Sequence, residues 1–157
     1  MTMRVGLGFD VHAFGGDAPL VLGGVTIDDA PGLVGHSDAD VVAHAVADAL
    51  LGASGLPDLG TLYPASDERL RDASSVALLR EVSEKVASAG WAVANVDVAV
   101  AAEAPPLAVH VAAMSTMLSD AVGAPVSVKP KRTEGVGAVG RGEGIAAWAV
   151  ALLESTR

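Results

Sequence analysis

The chain has 157 residues, of which 51% are hydrophobic and 18% charged, and its formal net charge is −9. This composition predicts a single folded domain over residues 1–157 and excludes a disordered chain. The absence of Cys excludes disulfides and thiolate metal ligands, and the negative charge argues against a nucleic-acid partner.

No segment has the pattern of a membrane anchor or a signal peptide. The longest apolar runs, such as residues 145–153, are about half the length that spans a bilayer. The first residues lead directly into a strand-like pattern, without a charged region, an apolar region and a cleavage site in succession. We therefore expect a cytoplasmic protein that has no membrane partner.

The N-terminal part is predicted to form strands. Residues 4–14 alternate loosely and end near Asp10 and His12, and residues 20–22 and 25–27 flank a Gly-Gly turn as in a hairpin. Because alternate side chains of a strand share a face, Asp10 and His12 could bind one ion. Taken alone, such a pair is more often a solvated strand end.

A helix is predicted after this β region, because apolar residues recur at helical spacing from residue 41 to residue 50. Ser37 or Asp38 is its expected N-cap, and Gly52 is its expected end. The rest of the chain is predicted as a loop (55–72), a helix (74–89), a strand (91–102), a helix (107–122) and a short strand (126–128). Periodicity leaves residues 145–153 ambiguous, and their Ala-rich composition favours a helix.

Three polar residues, Asp40, His44 and Asp48, lie at successive i, i+4 positions of the first helix. Such a stripe usually faces water, but His44 has Ala and Val neighbours. Together with Asp10 and His12, His44 would make a set of three ligands that leaves a fourth tetrahedral position open, as in catalytic zinc sites. Asp48, one turn beyond His44, is a candidate for orienting that helix or its imidazole.

A basic cluster lies near the C-terminus, where four of the ten Lys and Arg residues are close in sequence: Lys129, Lys131, Arg132 and Arg141. In an acidic chain, such a cluster indicates where an anionic small substrate would bind. The Gly-rich run over residues 135–144 could also present backbone amides to phosphate, although such runs are more often plain connections.

Several segments resemble the 2-C-methyl-D-erythritol 2,4-cyclodiphosphate synthase family in order and spacing. They are Gly-Phe-Asp-Val-His at residues 8–12, Gly-His-Ser-Asp-Ala-Asp at 35–40 followed by His44, and Gly-Arg-Gly-Glu-Gly at 140–144. The resemblance extends from about residue 4 to residue 153. It implies an α/β fold of α+β type, in which a mixed sheet packs against helices, and a strand rather than a helix over residues 145–153. It also implies a homotrimer with active sites between neighbouring subunits.

The reaction that this resemblance implies is attack of the 2-phosphate on the β-phosphate of 4-diphosphocytidyl-2-C-methyl-D-erythritol 2-phosphate. The products would be the cyclic diphosphate and CMP, in a step of non-mevalonate isoprenoid biosynthesis catalysed by a phosphorus-oxygen lyase. The implied ligands are Asp10, His12 and His44 for Zn²⁺, and Glu134 for a second divalent ion, Mg²⁺ or Mn²⁺.

The resemblance also implies catalytic and substrate-binding residues. His36 and Ser37 would lie on a mobile loop over the methylerythritol phosphate, and Thr133 would act beside Glu134. The ribose and the cytosine would be held by two further groups: Asp58 and Gly60, then Ala102, Ala104, Pro105 and Leu107. Arg141 would line a cavity on the trimer axis where an isoprenoid diphosphate is a candidate ligand. Its alternative role is an intersubunit salt bridge with Glu143.

The chain departs from the family pattern immediately before Thr133. Family members usually carry a Thr-rich run there, whereas this chain has Lys131 and Arg132. We expect these two cations to bind the nucleotide phosphates by charge, and the alternative is a solvated surface. Pro106 and Ala138 replace a Lys of the cytosine segment and an aromatic residue of the axial cavity.

Two other functions remain open at this point. A metal phosphohydrolase would let water attack the same activated phosphate and would give a linear product. A non-catalytic trimer would bind an isoprenoid diphosphate through Arg141, although the intact set of Asp10, His12 and His44 argues against it.

Overall fold

A computed structural model describes residues 1–156. The strands are β1 (Met3–Gly16), β2 (Leu20–Leu22), β3 (Val25–Ile27), β4 (Gly32–Leu33), β5 (Trp91–Ala101), β6 (Val126–Lys131) and β7 (Gly144–Ser155). The helices are α1 (Val41–Ser54), α2 (Leu59–Leu62), α3 (Ser75–Ser88), α4 (Val111–Val122) and α5 (Gly137–Gly140), with 3₁₀ turns at Glu68–Leu70 and Ala108–His110.

The strands form a five-stranded mixed sheet and a separate hairpin. The order in the large sheet is β4-β1-β7-β5-β6, and among residues 1–156 only β5 and β6 pair in parallel. The hairpin pairs β2 with β3. Helices α1, α3 and α4 pack against one face of the large sheet, which confirms the predicted mixed sheet packed against helices. None of the helices in the described part of the chain has the length and apolar character needed to cross a bilayer.

The C-terminal tail is a strand, so the helix favoured by composition is wrong and the strand implied by the family is correct. β7 lies between β1 and β5 and pairs antiparallel with both. Its inward-facing residues, such as Ala147, Ala149 and Ala151, are buried. Small side chains at these positions leave room for α1, and pairing on both edges outweighs the intrinsic helix preference of Ala.

Both predicted ends of α1 are displaced. Its N-cap is Asp40, rather than Ser37 or Asp38, and the helix passes through Gly52 to end at Ser54. Gly55 provides the C-cap because it adopts a left-handed conformation with φ 75°. Gly52 stays helical.

Asp40 is fully buried, so the expectation that it belongs to a solvated stripe is wrong. Its carboxylate accepts the N–H groups of Val42 and Ala43 at the start of α1, at 3.1 and 3.0 Å. It also accepts the N–H groups of Gly23 and Gly24 in the hairpin turn, at 2.8 and 2.7 Å. Burial raises the pKa of Asp40, against the opposing effect of these hydrogen bonds. One carboxylate thus caps α1 and attaches the hairpin to it.

Helix α1 lies very close to β1 because the strand carries glycines on the face beneath it. A Cβ at Gly6 would lie 2.0 Å from the carbonyl oxygen of Ala49, and one at Gly8 would lie 1.8 Å from that of Ala45. Neither contact is sterically allowed, so only glycine lets the helix backbone approach this far. Since alternate residues of a strand share a face, Asp10 and His12 continue the same face toward α1.

The opposite face of the large sheet is apolar and exposed. We call it the outer face and define it by Val5, Leu7, Phe9, Trp148 and Val150, which are 42–68% exposed. The Phe9 and Trp148 rings pack together with their centroids 5.3 Å apart. A contiguous apolar surface of this kind is typical of an interface between proteins.

The close helix–strand contact predicts opposite effects for two glycine substitutions. Gly8→Ala should lower the free energy of unfolding by about 1–3 kcal/mol or more, because its Cβ would displace the α1 backbone. Gly52→Ala is the control, since nothing lies within 4 Å of its added Cβ. It should raise the free energy of unfolding by up to about 1 kcal/mol, because Ala is the better helix former. Urea denaturation of both variants at matched concentration measures these changes, and equal stability of Gly8→Ala and the parent chain would contradict the packing argument.

Candidate functional site

Three side chains that the sequence predicted as metal ligands meet between β1 and α1. One ligand atom from each of Asp10, His12 and His44 lies within 4.8 Å of the other two. Oδ2 of Asp10 is 3.1 Å from Nε2 of His12 and 2.9 Å from Nδ1 of His44. The strand supplies the first two residues and the helix supplies the third, as their spacing predicted.

The ring nitrogen of His12 that lies away from Asp10 forms a hydrogen bond with the backbone. Its Nδ1 lies 2.5 Å from the carbonyl oxygen of Val34, which only accepts hydrogen bonds. The ring proton therefore occupies Nδ1, and the Nε2 lone pair points toward Asp10. Two acceptor atoms at 3.1 Å repel each other unless a cation lies between them. A proton or a metal ion meets that requirement.

When protons rather than a metal ion occupy the space between these groups, the near ring nitrogens of His12 and His44 donate hydrogen bonds to Asp10. Burial opposes ionisation of Asp10, but its hydrogen bonds and charge attraction to His12 and His44 outweigh burial and lower its pKa. The hydrogen bond to Asp10 raises the pKa of His12, with burial acting in the opposite direction. A carboxylate that stays ionised and two imidazoles form a suitable donor set for a divalent transition metal when Cys is absent.

A cavity of about 280 Å³ opens over the triad. His36, Ser37 and Gly60, three of the residues that the resemblance gave as site residues, line it, and so do Tyr63 and Leu70 from the connection between α1 and α3. The Nε2 atom of His36 lies 3.1 Å from the carbonyl oxygen of Asp67, so the loop that carries His36 contacts the connection between α1 and α3. Because Asp10, His12 and His44 line the cavity, a small ligand in it would reach all three candidate metal ligands.

Asp48 also lines this cavity, but it does not hold the His44 imidazole. Its Oδ1 accepts the N–H of Leu59 at 2.7 Å, and burial raises its pKa. Asp58 caps α2 by accepting the N–H of Thr61 at 2.7 Å. Asp48 and Asp58 thus fix the short helix α2, which carries Gly60 into the cavity wall.

The predicted cytosine segment lies at a different cavity, of about 270 Å³. Ala102, Pro105 and Leu107 line it together with Lys131 and Arg132, whereas Ala104 lines a neighbouring cavity with Pro105. Among residues 1–156, the metal cavity and this cytosine-segment cavity share no lining residue. Within one chain, the predicted metal ligands and the predicted cytosine segment therefore line different cavities.

The loop before Glu134 is fixed by Glu103, which the sequence did not single out. Glu103 accepts the backbone N–H and the hydroxyl of Thr133, at 2.5 and 3.0 Å, and lies 3.3 Å from Nη2 of Arg132. These contacts lower the pKa of Glu103 although burial opposes the shift. Glu134 itself is exposed and has φ 54°, a left-handed backbone that a non-glycine residue rarely adopts.

The four basic residues have different environments. Lys129 pairs with Asp97, Arg132 with Glu103 and Arg141 with Glu143, the last at 2.7 Å. The Arg141–Glu143 ion pair, which was the alternative role considered for Arg141 between subunits, forms within one chain. Lys131 has no acidic partner within residues 1–156. Binding of an isoprenoid diphosphate by Arg141 stays a prediction.

The sequence analysis also did not identify Ser75 as a hydrogen-bond partner of His44. The Nε2 atom of His44 lies 2.8 Å from Oγ of Ser75, the first residue of α3, and 3.3 Å from Oγ of Ser37. A Ser at the start of a helix resembles an ordinary capping residue, and 31 residues separate Ser75 from His44. The local pattern therefore contained no signal for this contact.

Comparison with known proteins identifies relatives along nearly the whole chain. The YgbB family model matches residues 3–154. A 2-C-methyl-D-erythritol 2,4-cyclodiphosphate synthase from Salinibacter ruber is 52% identical over 156 residues, which cover 98% of this chain and 99% of that protein. A synthase of the same name from Escherichia coli strain 536 is 49% identical over 154 residues, covering 96% and 97% respectively.

Solved structures with the same fold include two that are named IspDF and IspF. The bifunctional IspDF of Campylobacter jejuni has a TM-score of 0.94 and is 39% identical, and the match covers 98% of this chain but 42% of that longer chain. IspF from Plasmodium falciparum in complex with CDP has a TM-score of 0.84 and is 29% identical, with 99% and 97% covered. The chain described here therefore belongs to the YgbB family of 2-C-methyl-D-erythritol 2,4-cyclodiphosphate synthases.

Proposed function

We propose that this chain is a 2-C-methyl-D-erythritol 2,4-cyclodiphosphate synthase of isoprenoid biosynthesis, a cyclising phosphorus-oxygen lyase. Its substrate would be 4-diphosphocytidyl-2-C-methyl-D-erythritol 2-phosphate, and its products the cyclic diphosphate and CMP. The observation that carries the proposal is the convergence of Asp10, His12 and His44 below an open cavity in a chain of this family.

The reaction places an anionic nucleophile against an anionic electrophile, so neutralising and positioning charge must supply most of the catalysis. The 2-phosphate itself attacks the β-phosphate, and CMP leaves as that bond forms. No protein nucleophile is required. The chain contributes the ligands of the metal, the walls that position two phosphates, and the cations near the nucleotide.

Asp10, His12 and His44 suit zinc, because two imidazoles and one carboxylate leave a tetrahedral position free for a phosphate oxygen. Bound there, zinc would supply Lewis-acid polarisation of the phosphate that is attacked. Glu134 is proposed to hold Mg²⁺ or Mn²⁺, since one exposed carboxylate can bind such an ion when substrate phosphates provide further ligands.

His36 and Ser37, in the wall of the metal cavity, are proposed to contact the methylerythritol phosphate. Asp58 and Gly60 are proposed to hold the ribose. Glu103 fixes Thr133 and thereby sets the direction of the loop that carries Glu134.

We further propose that three copies assemble through the outer face. This surface is apolar and exposed in one chain, and its burial would stabilise an assembly whose core is poor in aromatic side chains. Assembly would place the cytosine-segment cavity and Glu134 of one subunit beside the metal cavity of its neighbour. This arrangement is supported by the finding that the two groups of predicted site residues line different cavities of one chain.

The activity is tested by incubating the purified protein with the proposed substrate and identifying the products. We expect CMP and the cyclic diphosphate, and about one zinc per chain by metal analysis. His44→Ala should lose both zinc and turnover, because two remaining ligands rarely hold zinc tightly. Asp48→Asn is a control that changes a different carboxylate in the same cavity and should retain zinc, since Asp48 binds Leu59.

A linear diphosphate product would indicate a phosphohydrolase instead, and binding of an isoprenoid diphosphate without any turnover would indicate a non-catalytic trimer. Full zinc content and full activity of His44→Ala would contradict the three-ligand assignment.

The cations before Thr133 provide a separate prediction about substrate affinity. Replacing Lys131 and Arg132 by Thr should raise KM about fivefold or more at low salt, because two charge-assisted contacts to phosphate are lost. Most of the effect should come from Lys131, since Arg132 is shared with Glu103. The salt dependence of KM should also flatten, while kcat changes less.

Lys129→Thr is the matched control, because Lys129 lies on the same strand and is paired with Asp97. Its KM should remain close to that of the parent protein. An unchanged KM with an unchanged salt dependence in the double variant would assign Lys131 and Arg132 to the solvated surface.

A further inference from the structure

His44 has a buried partner on the side of its ring that faces away from Asp10. The Nε2 atom lies 2.8 Å from Oγ of Ser75, a residue that is only 2% exposed. Ser75 in turn contacts Asp38 twice: its hydroxyl donates to Oδ1, and its backbone N–H donates to Oδ2 at 3.0 Å. Asp38, Ser75 and His44 therefore form a continuous chain of hydrogen bonds that ends at the metal cavity.

The direction of each hydrogen bond follows from the number of available protons. A serine hydroxyl has one proton, and the carboxylate of Asp38 only accepts, so the Ser75 proton points toward Asp38. The Ser75 oxygen must then accept from His44, which places the ring proton on Nε2. The Nδ1 lone pair is left facing Oδ2 of Asp10 at 2.9 Å.

The orientation of Ser75 is itself constrained. Its backbone begins α3, and its N–H is held by the same carboxylate that accepts its hydroxyl proton. Asp38 is also attached to its own loop, because its Oδ1 accepts the N–H of Asp40 at 3.2 Å. Ser37 lies farther from the imidazole, at 3.3 Å, and its hydroxyl proton has another acceptor in the Ser75 oxygen at 3.4 Å. Ser75 is therefore the principal partner of Nε2.

We propose that Ser75, backed by Asp38, is a positioning residue for the metal centre that fixes both the tautomer and the angle of the His44 ring. The proposal rests on the metal role given to His44 under the proposed function. The carbonyl of Val34 does the same for His12 from the opposite side. Both imidazoles thus present a lone pair to one point beside Asp10 before any metal arrives, which lowers the cost of ordering the ligands.

The test is zinc affinity, measured without substrate by competition with a chromophoric chelator. Ser75→Ala should raise the Kd for zinc about 10- to 100-fold, the usual effect of removing a group that orients a metal ligand. Ser75→Thr keeps the hydroxyl and should restore most of the affinity. Ser54→Ala is the control, because Ser54 is another buried serine, and its hydroxyl bonds only the carbonyl of Leu51. It should leave the Kd unchanged.

Nitrogen NMR of the zinc-loaded parent protein provides a second readout that a purely structural role of Ser75 would not determine. We expect the His44 ring to be protonated at Nε2 and to bind the metal through Nδ1. Thermal unfolding of each variant shows whether it is folded. A folded Ser75→Ala protein with the parent Kd, or a His44 ring bound to zinc through Nε2, would overturn the proposal.

These outcomes are separable from those of the proposed function. Tight zinc binding that depends on Ser75, together with an absence of cyclic product, would refute the synthase activity and support the positioning role. Formation of the cyclic product by a protein whose zinc affinity does not change on substitution of Ser75 would support the synthase activity and refute the positioning role.

Discussion

The site depends on the contact between helix α1 and strand β1. Gly6 and Gly8 allow the helix backbone to lie against the strand, where any Cβ would collide with a carbonyl oxygen of α1. Two residues farther along the same face, Asp10 meets His44 of the helix at 2.9 Å. A helix held farther away by side chains would leave the histidine out of reach of the carboxylate. The three candidate metal ligands therefore come together because of how these two elements pack.

The second constraint is which ring nitrogen of His12 and of His44 carries the proton. Val34 engages the far nitrogen of His12, and Ser75 engages that of His44, so both near nitrogens direct lone pairs at one carboxylate oxygen. Such an arrangement is repulsive unless it holds a cation. Packing and hydrogen bonds thus hold these three side chains in an arrangement that a bound cation would stabilise.

Local sequence patterns were sufficient to make Asp10, His12 and His44 candidates, because alternation along a strand and i, i+4 spacing along a helix are properties of short segments. Each pattern alone favoured solvated residues, and the family resemblance was needed to join them into one set of ligands. Local patterns were not sufficient for contacts between distant segments. Asp40 looked like a solvated residue because the hairpin turn that it binds comes from elsewhere in the chain. Ser75 resembled a helix cap, and Glu103 an ordinary loop residue. The Ala-rich tail favoured a helix until β1 and β5 supplied hydrogen-bonding edges on both sides.

Under the proposed function, a complete active site combines the metal cavity of one subunit with Glu134 of its neighbour. The most direct test mixes His44→Ala and Glu134→Ala chains in equal amounts, dissociates them and allows them to reassemble. Each variant alone should be nearly inactive. Random trimers should recover about one quarter of the parent activity, because every mixed trimer contains one interface with both intact residues. If the mixture stays as inactive as its components although mixed trimers form, the active site does not lie between subunits and the proposed shared site is contradicted.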